Sequence, residues 1–357
     1  MNNKVTMKDI AEKLNLSINA VSLALNNKAG VSDDTRNNVL RVAEERGYFD
    51  NKPQYLRAYA SKNICLILEH RFFIDSYFYS RVIVGIEEEA RKNNYDVIVN
   101  FIDNNNYVIP NCLESKKAAG VIALGIMCDE YLSKLKNYGL PMVLVDNTSL
   151  SETIDSILTD NKSGTYKATR YLINKGFKKI GFFGDLAYSL SIKERYFGYT
   201  EAIKTVIEAS EKIEQYIEKH SITDDLEELI IKNDINAIYE RLKQIEEMPE
   251  AFVCSNDNAA FQLNNALKKL GYKVPEDLSI IGFDDIELCN LILPKMTTVK
   301  VNKESMGKKA VQRLLWRMTH KNEPVENTIM SVELIERESV GVFSNTLNKN
   351  EKVDNMC

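Results

Sequence analysis

Residues 4–48, KVTMKDIAEKLNLSINAVSLALNNKAGVSDDTRNNVLRVAEERGY, predict three short helices joined by tight connections. Thr6 stands three residues before Asp9, the spacing of a capping box, and apolar residues then recur at helical spacing. Ser17 is a good N-cap for a second helix, reached through a turn of about three residues, as in a helix-turn-helix. Ser32 begins a third helix after a polar break. Three amphipathic helices of this kind can enclose one small core.

The outward positions of this segment suit contact with DNA. Short polar and small apolar side chains at the start of the second helix can approach base edges and thymine methyl groups. The candidates there are Ser17, Ile18, Asn19, Ala20 and Ser22. Backbone amides at helix starts can hold phosphates, and so can the side chains of Lys4, Thr6, Ser17, Ser32 and Arg36. The alternative is a three-helix interaction module that never contacts nucleic acid.

Charge favours DNA binding only mildly. Residues 1–60 carry nine Lys and Arg against seven Asp and Glu, whereas the rest of the chain carries 37 against 44. The sign of this asymmetry is the expected one for a basic head on an acidic body. Because the excess is small, one head should bind DNA weakly, and binding should depend on pairing two heads.

Length and composition indicate a multi-domain globular protein. Of the 357 residues, 44% are hydrophobic and 27% are charged, and the head leaves residues 61–357 for one or two larger cores. No apolar run approaches the roughly 18 residues that a membrane span requires. The polar start MNNKVTMKD is unlike a signal peptide. We therefore expect a cytoplasmic protein with no membrane partner, ending in a polar tail at 345–357.

The cysteines and histidines indicate neither metal binding nor catalysis. No CxxC or Cys/His spacing occurs, and a place in apolar runs is typical of buried free thiols. The six cysteines are Cys65, Cys112, Cys128, Cys254, Cys289 and Cys357. None of His70, His220 and His320 has a partner at metal-ligand spacing. GxSxG, Walker, HExxH and GxGxxG motifs are also missing, so we expect no enzyme activity, no catalytic or metal-binding residues and no cofactor.

After residue 62, short apolar runs alternate with amphipathic helical stretches. Strands are predicted at 63–70, 95–101, 120–126 and 141–146, and helices at 76–94, near 111–117 and at 129–137. The rhythm restarts with helices at 161–175, 194–209, near 223–247 and at 257–270, and strands at 179–184, 251–255 and 279–284. Such alternation implies βαβ units and parallel sheets. Two α/β lobes in succession are therefore predicted.

The head resembles the lactose-repressor-like (LacI/GalR) family of bacterial regulators, whose heads follow a pattern of the type VTxxDIAxxAGVSxxTVSRxLN…VSxxTRxxVxxxAxxLGY. The matching residues are Val5, Thr6, Asp9, Ile10, Ala11, Ser17, Val21, Ser22, Leu25, Asn26, Val31, Ser32, Thr35, Arg36, Val39, Ala43, Gly47 and Tyr48. Ala20 replaces the usual Thr, and Leu23 replaces what is often a base-contacting Arg. The resemblance implies DNA contact at these positions and at Asn26, with an operator of this protein's own.

Residues 158–184, 195–203, 256–287, 294–315 and 333–339 resemble the effector core of the same family, which is similar to periplasmic sugar-binding proteins. The resemblance implies an all-α head (1–49), a hinge (50–61) and a two-lobed, periplasmic-binding-protein-like α/β core with parallel sheets (62–344). It also implies that the chain crosses between the lobes near residues 162, 293 and 325. The first lobe would hold about 62–162 and 294–325, and the second about 163–293 and 326–344.

The resemblance also implies a ligand cleft at the carboxyl ends of both sheets, where open α/β sheets bind ligands. Its candidate residues are Tyr77, Phe78, Asp160, Arg195, Asn256 and Asp284. Aromatic rings stack on sugars, and Asp, Asn and Arg bond to vicinal hydroxyl groups, so we expect a small-molecule effector of the sugar class. The alternatives are capping roles for Asp160 and Asp284 and a place in the core for the two rings.

The hinge departs from the pattern YxPNxxARxL, with which this family inserts a Leu into the minor groove. Asp50 replaces the proline, and Pro53 stands inside the segment, so a hinge helix would begin at Lys52 or Pro53. Leu56 lies one residue before the usual Leu position, which Arg57 occupies. Either Leu56 still enters the groove, which we favour, or Arg57 enters instead and favours A·T-rich DNA.

Together these features predict a ligand-responsive, homodimeric transcription factor, in most cases of this family a repressor, that binds a pseudo-palindromic operator. A cytoplasmic sugar-binding sensor without specific DNA binding is the alternative, because the hinge is unusual. A catabolic hydrolase or isomerase is disfavoured for want of catalytic residues. The sequence leaves open the effector's identity, whether it induces or corepresses, and whether the protein is a dimer or a tetramer.

Overall fold

The amino-terminal part of the chain forms the predicted three-helix head. The computed structural model describes residues 5–26, 28, 30–49, 62–71, 77–103, 107–207 and 212–342. In the head, α1 spans Met7–Leu14, α2 spans Ile18–Leu25 and α3 spans Asp33–Glu45. Their apolar faces enclose a small core made by Ile10, Ala11, Val21, Ala24, Leu25, Val39, Val42, Ala43 and Tyr48.

Local hydrogen bonds explain where the first two helices begin. The Oγ1 of Thr6 accepts from the amide of Asp9 at 3.4 Å, and the carboxylate of Asp9 accepts from the amide of Thr6 at 2.7 Å. In α2, the Oγ of Ser17 accepts from the amide of Ala20 at 3.0 Å. Each bond satisfies an amide near a helix start that has no partner within the helix. The predicted caps are confirmed.

The first lobe is built on a six-stranded sheet in which all paired strands are parallel. Its strands are β1 (Asn63–Glu69), β2 (Asp96–Ile102), β3 (Gly120–Leu124), β4 (Met142–Val145), β5 (Asp155–Thr159) and β10 (Asn327–Met330). Across the sheet they lie in the order β10-β5-β4-β3-β1-β2. Its helices are α4 (Tyr77–Lys92), α5 (Asn111–Glu114), α6 (Asp129–Lys136) and α13 (Lys303–Thr319). Strands β3 and β4 are buried throughout, as is typical of parallel sheets covered on both faces.

The second lobe holds a five-stranded sheet in the order β11-β9-β8-β7-β6. Its strands are β6 (Ile180–Phe183), β7 (Ala251–Cys254), β8 (Ser279–Asp284), β9 (Thr297–Lys300) and β11 (Glu333–Ile335), of which only β11 pairs antiparallel among the described strands. Its helices are α7 (Asn161–Asn174), α8 (Leu190–Ile203), α9 (Ile213–His220), α10 (Glu227–Ile231), α11 (Ile235–Leu242), α12 (Asp257–Lys269) and a 3-10 turn at Glu287–Asn290. The predicted two-lobed α/β fold is confirmed.

Two of the predicted crossings between the lobes lie elsewhere. Strand β9 belongs to the second sheet, so the chain leaves the second lobe after Lys300 and not near residue 293. Strand β10 pairs with β5 in the first sheet, so the last crossing follows Met330 and not residue 325. Both strands have four residues, and the sheet that a short strand joins depends on its pairing partner, which its own residues do not reveal. The first crossing lies between Thr159 and Asn161.

Some predicted elements differ in extent. Helix α8 begins at Leu190 and not at residue 194, because the Oγ of Ser189 accepts from the amide of Ile192 at 3.2 Å and caps the helix there. The charged stretch near 223–247 is divided into α10 and α11. Strand β5 and helix α9 lie outside every predicted element, since five to eight residues give a weak periodic signal.

A buried ion cluster attaches α13 to the first sheet. The carboxylate of Asp155, which is 1% exposed, accepts from Nη2 of Arg313 at 2.7 Å and from Nε of Arg317 at 2.6 Å. It also accepts from the amide of Glu326 at 2.9 Å, just before β10. Although burial acts to raise it, the bonds from Arg317 and Arg313 keep the pKa of Asp155 below its usual value. One carboxylate thus joins β5, α13 and the segment that leads into β10.

Replacing Asp155 with Asn should destabilise the first lobe by about 3 kcal/mol, because the buried guanidinium of Arg317 loses its counter-ion and that of Arg313 keeps only the exposed Glu326. Since the native pKa is lowered, the contribution of Asp155 should be present at neutral pH and lost as the pH falls through the native pKa. Chemical denaturation at several pH values measures both effects. Glu130→Gln, which breaks the exposed pair with Lys134, is the control and should leave the stability almost unchanged. Equal losses from the two variants would contradict the structural role of Asp155.

Candidate functional site

The start of α2 presents the predicted base-contacting residues to solvent. Three of them are exposed, namely Ser17, Ile18 and Asn19. Three lie half-buried on the same helix, namely Ala20, Ser22 and Leu23. Ile18 keeps 51% of its surface accessible although it is apolar. An exposed Ile beside an exposed Asn suits a thymine methyl group and a base edge in a major groove.

Two other predicted DNA contacts hold the head together. Nη2 of Arg36 donates to the carbonyl of Lys28 at 2.8 Å, and its Nη1 lies 3.4 Å from two carbonyls near the end of α2. Nδ2 of Asn26 donates to the carbonyl of Ser22 at 2.8 Å. These bonds join both side chains to backbone carbonyl groups in the last turns of α2 and just after it. Arg36 and Asn26 therefore stabilise the end of α2, and their contact with DNA stays a prediction.

The remaining predicted contacts of the head divide into helix caps and residues outside the described part. Thr6 and Ser32 are exposed and cap α1 and α3, and the Oγ of Ser32 accepts from the amide of Thr35 at 3.2 Å. Lys4, Leu56 and Arg57 lie outside the described residues, so the hinge predictions stay open.

A cleft between the two lobes lies at the carboxyl ends of their strands. From the first lobe its lining includes Arg71, Tyr77, Phe78, Tyr79 and Asp146. From the second lobe it includes Asn161, Tyr188, Arg195, Glu227, Asn256 and Asp284. Several of these residues stand at or just after the end of a strand. Because the carboxyl ends of parallel strands lie at the same edge of a sheet, these residues lie together there.

Arg195 organises the second-lobe wall of the cleft. Its side chain is buried and donates through Nε to Oδ1 of Asn161 at 2.9 Å, and through Nη1 to the carbonyl of Ser255 at 2.5 Å. Nη2 pairs with Oδ1 of Asp284 at 3.1 Å. The guanidinium also lies 3.8 Å from the ring centre of Phe283. These contacts satisfy a buried charge and fix its orientation toward the cleft.

Asp284 occupies a constrained position at the end of β8. Its φ of 112° lies in the left-handed region, which non-glycine residues rarely adopt outside sites that require it. Burial raises the pKa of Asp284 to about 6, although Arg195 and Lys303 act to lower it. Nζ of Lys303 donates to the carbonyl of Asp284 at 2.5 Å. Lys303 lies just after the crossing that follows β9, so this bond connects the crossing to the backbone at Asp284.

Asp146 connects the two lobes across the cleft. Its Oδ2 accepts from the hydroxyl of Tyr79 at 2.8 Å within the first lobe, and its Oδ1 accepts from Ser191 of the second lobe at 3.0 Å. Burial raises the pKa of Asp146, against the lowering effect of Arg195. At the rim, Arg81 on α4 pairs with Glu287 of the second lobe. These contacts hold the lobes in the arrangement seen.

Five of the six predicted cleft residues line the cleft, namely Tyr77, Phe78, Arg195, Asn256 and Asp284. Asp160 is the exception: its Oδ1 accepts from the amide of Ser163 at 3.2 Å and caps α7, while its neighbour Asn161 reaches the cleft. Capping was the alternative interpretation of this residue. Asn256 combines both roles, since its Oδ1 accepts from the amide of Ala259 at 2.8 Å.

Sequence reasoning missed several polar lining residues, namely Arg71, Asp146, Tyr188 and Glu227. For Asp146 a signal was present, because it is the last residue of the predicted strand 141–146, at the ligand-binding edge. Glu227 lay in a charged stretch that resembles a solvated helix face, so nothing local marked it as buried. Within the described residues, no group of three or more His, Cys, Asp or Glu is placed to hold a metal ion. No helix of the described part is long and apolar enough to cross a membrane.

A helix-turn-helix head followed by a two-lobed core with an interlobe cleft defines the class of ligand-binding, DNA-binding regulators. Two family models match the chain: "Bacterial regulatory proteins, lacI family" over residues 6–51 and "Periplasmic binding protein-like domain" over residues 169–340. The transcriptional repressor PurR of Haemophilus influenzae (strain PittEE) is 31% identical over 347 residues, covering 94% of this chain and 98% of the relative. The ribose operon repressor of Haemophilus influenzae is 30% identical over 342 residues with the same coverage. The chain therefore belongs to the lacI family of bacterial transcriptional regulators.

Solved structures share this fold. The transcriptional regulator CelR in complex with cellobiose superposes with a TM-score of 0.67 at 22% identity, covering 94% of this chain and 99% of that chain. The Lac repressor dimer bound to operator superposes with a TM-score of 0.65 at 20% identity, with the same coverage. At these identities the likeness shows the arrangement of head and lobes and leaves the ligand of this chain open.

Glu227 is a buried carboxyl group of the cleft, and its pKa makes the stability of the protein depend on pH. Burial and Asp185 raise its pKa to about 7 from an ordinary 4.5, so the folded protein favours the protonated form. The contribution of Glu227 to stability should therefore be present below pH 4.5 and lost as the pH rises through about 7. Glu227→Gln should raise the midpoint of thermal unfolding at pH 8.5 by roughly 6–12 °C, the shift for the about 3 kcal/mol that this difference in pKa implies. At pH 5 the difference between the two proteins should be much smaller, because Glu227 is then almost fully protonated in the folded protein.

The control for this prediction is Glu228→Gln, because Glu228 is exposed and pairs with Lys232 at 3.0 Å on the same short helix. It should leave the midpoint unchanged at both pH values. A wild-type midpoint that matches Glu227→Gln at pH 8.5 would show that Glu227 is not a destabilising buried carboxylate.

Proposed function

We propose that this protein is a homodimeric repressor that binds a pseudo-palindromic operator and is switched by a small polar molecule in the interlobe cleft. The observation that carries the proposal is the buried Arg195 cluster, which presents fixed polar groups to a cleft bounded by aromatic rings. The named relatives are repressors, and ribose and cellobiose occur with related proteins, which supports a ligand of the sugar class or a sugar derivative.

The small positive charge of a single head supports the pairing of two heads on DNA. The head has only a small excess of positive charge, so one copy would hold DNA weakly through phosphates. Two heads on adjacent half-sites add their contacts and read a pseudo-palindrome. In each head, Ile18 and Asn19 would contact bases, while hydroxyl groups and helix-start amides would hold phosphates.

The switch would act through the relative position of the lobes. Asp146 and Ser191, and Arg81 and Glu287, join the lobes across the cleft in the arrangement described. A ligand that contacts both walls stabilises one arrangement only to the extent that it binds that arrangement better. Because β1 of the first lobe directly follows the hinge segment 50–61, movement of that lobe would change the spacing of the two heads.

A second candidate is a sugar-binding sensor without specific DNA binding. The observation that favours it is the unusual hinge, with Asp50 in place of the family's proline and Pro53 inside the segment. A gel shift on the DNA upstream of the protein's own gene separates the two candidates, because only the repressor retards that DNA at salt concentrations near 150 mM, where nonspecific binding is weak.

Asn19→Ala and Ile18→Ala should change which operator bases are preferred, at a cost of about 1–3 kcal/mol for the contacted position, whereas Lys4→Ala should weaken all DNA binding and lower the salt dependence. Gel shifts on the upstream DNA and on single-base variants measure these effects. Lys13→Ala, on the exposed side of α1, is the control for a general loss of charge. A uniform loss from all three variants would remove α2 from the base-reading role.

Arg195→Ala should abolish the response to ligand while operator affinity stays near that of the wild type, because Arg195 lies in the core and not in the head. The response is measured by screening sugars and nucleosides for a thermal shift and repeating the gel shift with each hit. Arg195→Lys keeps the charge but loses the planar contacts, and should respond at least about tenfold more weakly than the wild type. An unchanged response in both variants would exclude Arg195 from the ligand site.

A further inference from the structure

Glu227 has a buried acceptor atom that nothing in the described part of the chain satisfies. The residue stands at the start of α10, lines the interlobe cleft and is 7% exposed. Among the described residues, its Oε2 has no hydrogen-bond partner. A buried carboxylate oxygen without a donor is costly, and in native proteins such groups are rare. A donor supplied by a ligand in the cleft would remove this cost.

The charge balance of the cleft is negative. Its two arginines are neutralised within the protein, since Arg195 pairs with Asp284 at 3.1 Å and Arg71 pairs with Glu69 at 2.5 Å. Three further carboxylates line the cleft, and none has an ion pair with a described residue; they are Asp146, Glu194 and Glu227.

The partners of two of these carboxylates are neutral. Asp146 accepts from Tyr79 and Ser191, and Glu194 accepts from Nδ2 of Asn161 at 2.9 Å. The ammonium group of the nearby Lys303 donates to the carbonyl oxygens of Asp284, Asp285 and Val301. A neutral ligand would therefore leave an excess of buried negative charge, and a cationic ligand would reduce it.

The rest of the lining suits a hydroxylated organic cation. Aromatic faces attract ammonium groups, and the rings of Tyr77, Phe78 and Tyr188 line the cleft. The ring of Tyr188 already carries one cation, because the guanidinium of Arg71 lies 5.4 Å from its centre. Asn256 and Ser189 add neutral donors and acceptors that can bond to hydroxyl groups.

We propose that the ligand of the cleft is an amino sugar, whose ammonium group binds the free carboxylate oxygen of Glu227. The inference rests on the proposed function, because it takes the cleft to be the effector site. The ammonium donates to Oε2 of Glu227 and lowers the net charge of the cleft, while the hydroxyl groups bond to the amide and hydroxyl side chains. Glu227 thereby determines the preference for an amine over a hydroxyl at one position of the ring.

The surroundings of Glu227 make this contact dependent on pH. The charged groups that act on its carboxyl are Asp185 before α8, Arg195 on α8, Arg71 after β1 and Asp284 at the end of β8. Burial and Asp185 raise its pKa to about 7, against the two arginines. Binding of the ammonium form should therefore weaken as the pH falls through about 7, because Glu227 becomes protonated.

The test uses the full chain and three matched pairs of probes: glucosamine and glucose, galactosamine and galactose, mannosamine and mannose. Titration calorimetry at pH 7.5 should show at least one amine bound at least about tenfold more tightly than its hydroxyl counterpart, a difference that lies well outside experimental scatter. Glu227→Gln should reduce that preference by at least about tenfold, and Glu228→Gln should preserve it. Thermal unfolding of each variant without ligand establishes that it is folded.

Three results would overturn the proposal: no binding of any of the three amines, no pair in which the amine binds at least about tenfold more tightly than its hydroxyl counterpart, or an amine preference that survives in Glu227→Gln. These outcomes differ from a failure of the proposed function. If the protein retards its upstream DNA neither without ligand nor with any ligand found in the screen, the repressor assignment fails whatever the cleft binds. If a neutral sugar alone binds and changes the gel shift, the repressor assignment stands and the amine preference fails.

Discussion

The cleft depends on the placement of one buried positive charge. Arg195 donates to Asn161 on α7, to the carbonyl of Ser255 after β7 and to Asp284 at the end of β8. One guanidinium group thus connects three elements of the second lobe at the carboxyl edge of its sheet. Burying a charge is unfavourable unless hydrogen bonds and a counter-ion replace water. Here each of the three guanidinium nitrogens has an acceptor, which makes the wall of the cleft rigid before any ligand arrives.

The first-lobe wall of the cleft is joined to the second lobe by a neutral hydrogen-bond donor and by the exposed pair between Arg81 and Glu287. Asp146 accepts from Tyr79 and from Ser191, and neither partner carries a charge. Such bonds are individually weak, so the arrangement of the lobes can change when a ligand contacts both walls. The carboxylates have the same consequence, because burial and, to a smaller extent, repulsion from neighbouring carboxylates raise the pKa values of Asp284 and Glu227. A site of this kind loses stability when empty and gains it with a ligand of suitable charge.

The sequence predicted most of the fold and part of the cleft. The caps at Thr6 and Ser17 and the strand 279–284 were predicted correctly because their signals lie within a few residues. Five of six expected lining residues lie in the cleft: Asn256 and Asp284 stand at or just after strand ends, and Tyr77, Phe78 and Arg195 lie on helices. Asp160 does not, since an Asp before a helix can serve either its own backbone or a ligand, and only the direction of the side chain distinguishes the two. Glu227 was missed because its burial arises from contacts outside its own short helix.

The sequence by itself determined the head, the alternation of strands and helices, and the family to which the chain belongs. These depend on capping, periodicity and motifs, which act over short separations along the chain. The tertiary structure alone decided that β9 lies in the second sheet and β10 in the first, and that Asp155 joins α13 to the first sheet. It also decided that Glu227 is buried and that its Oε2 has no donor among the residues described. Each of these depends on pairing or burial between segments far apart in the chain, for which no local pattern of residues is specific.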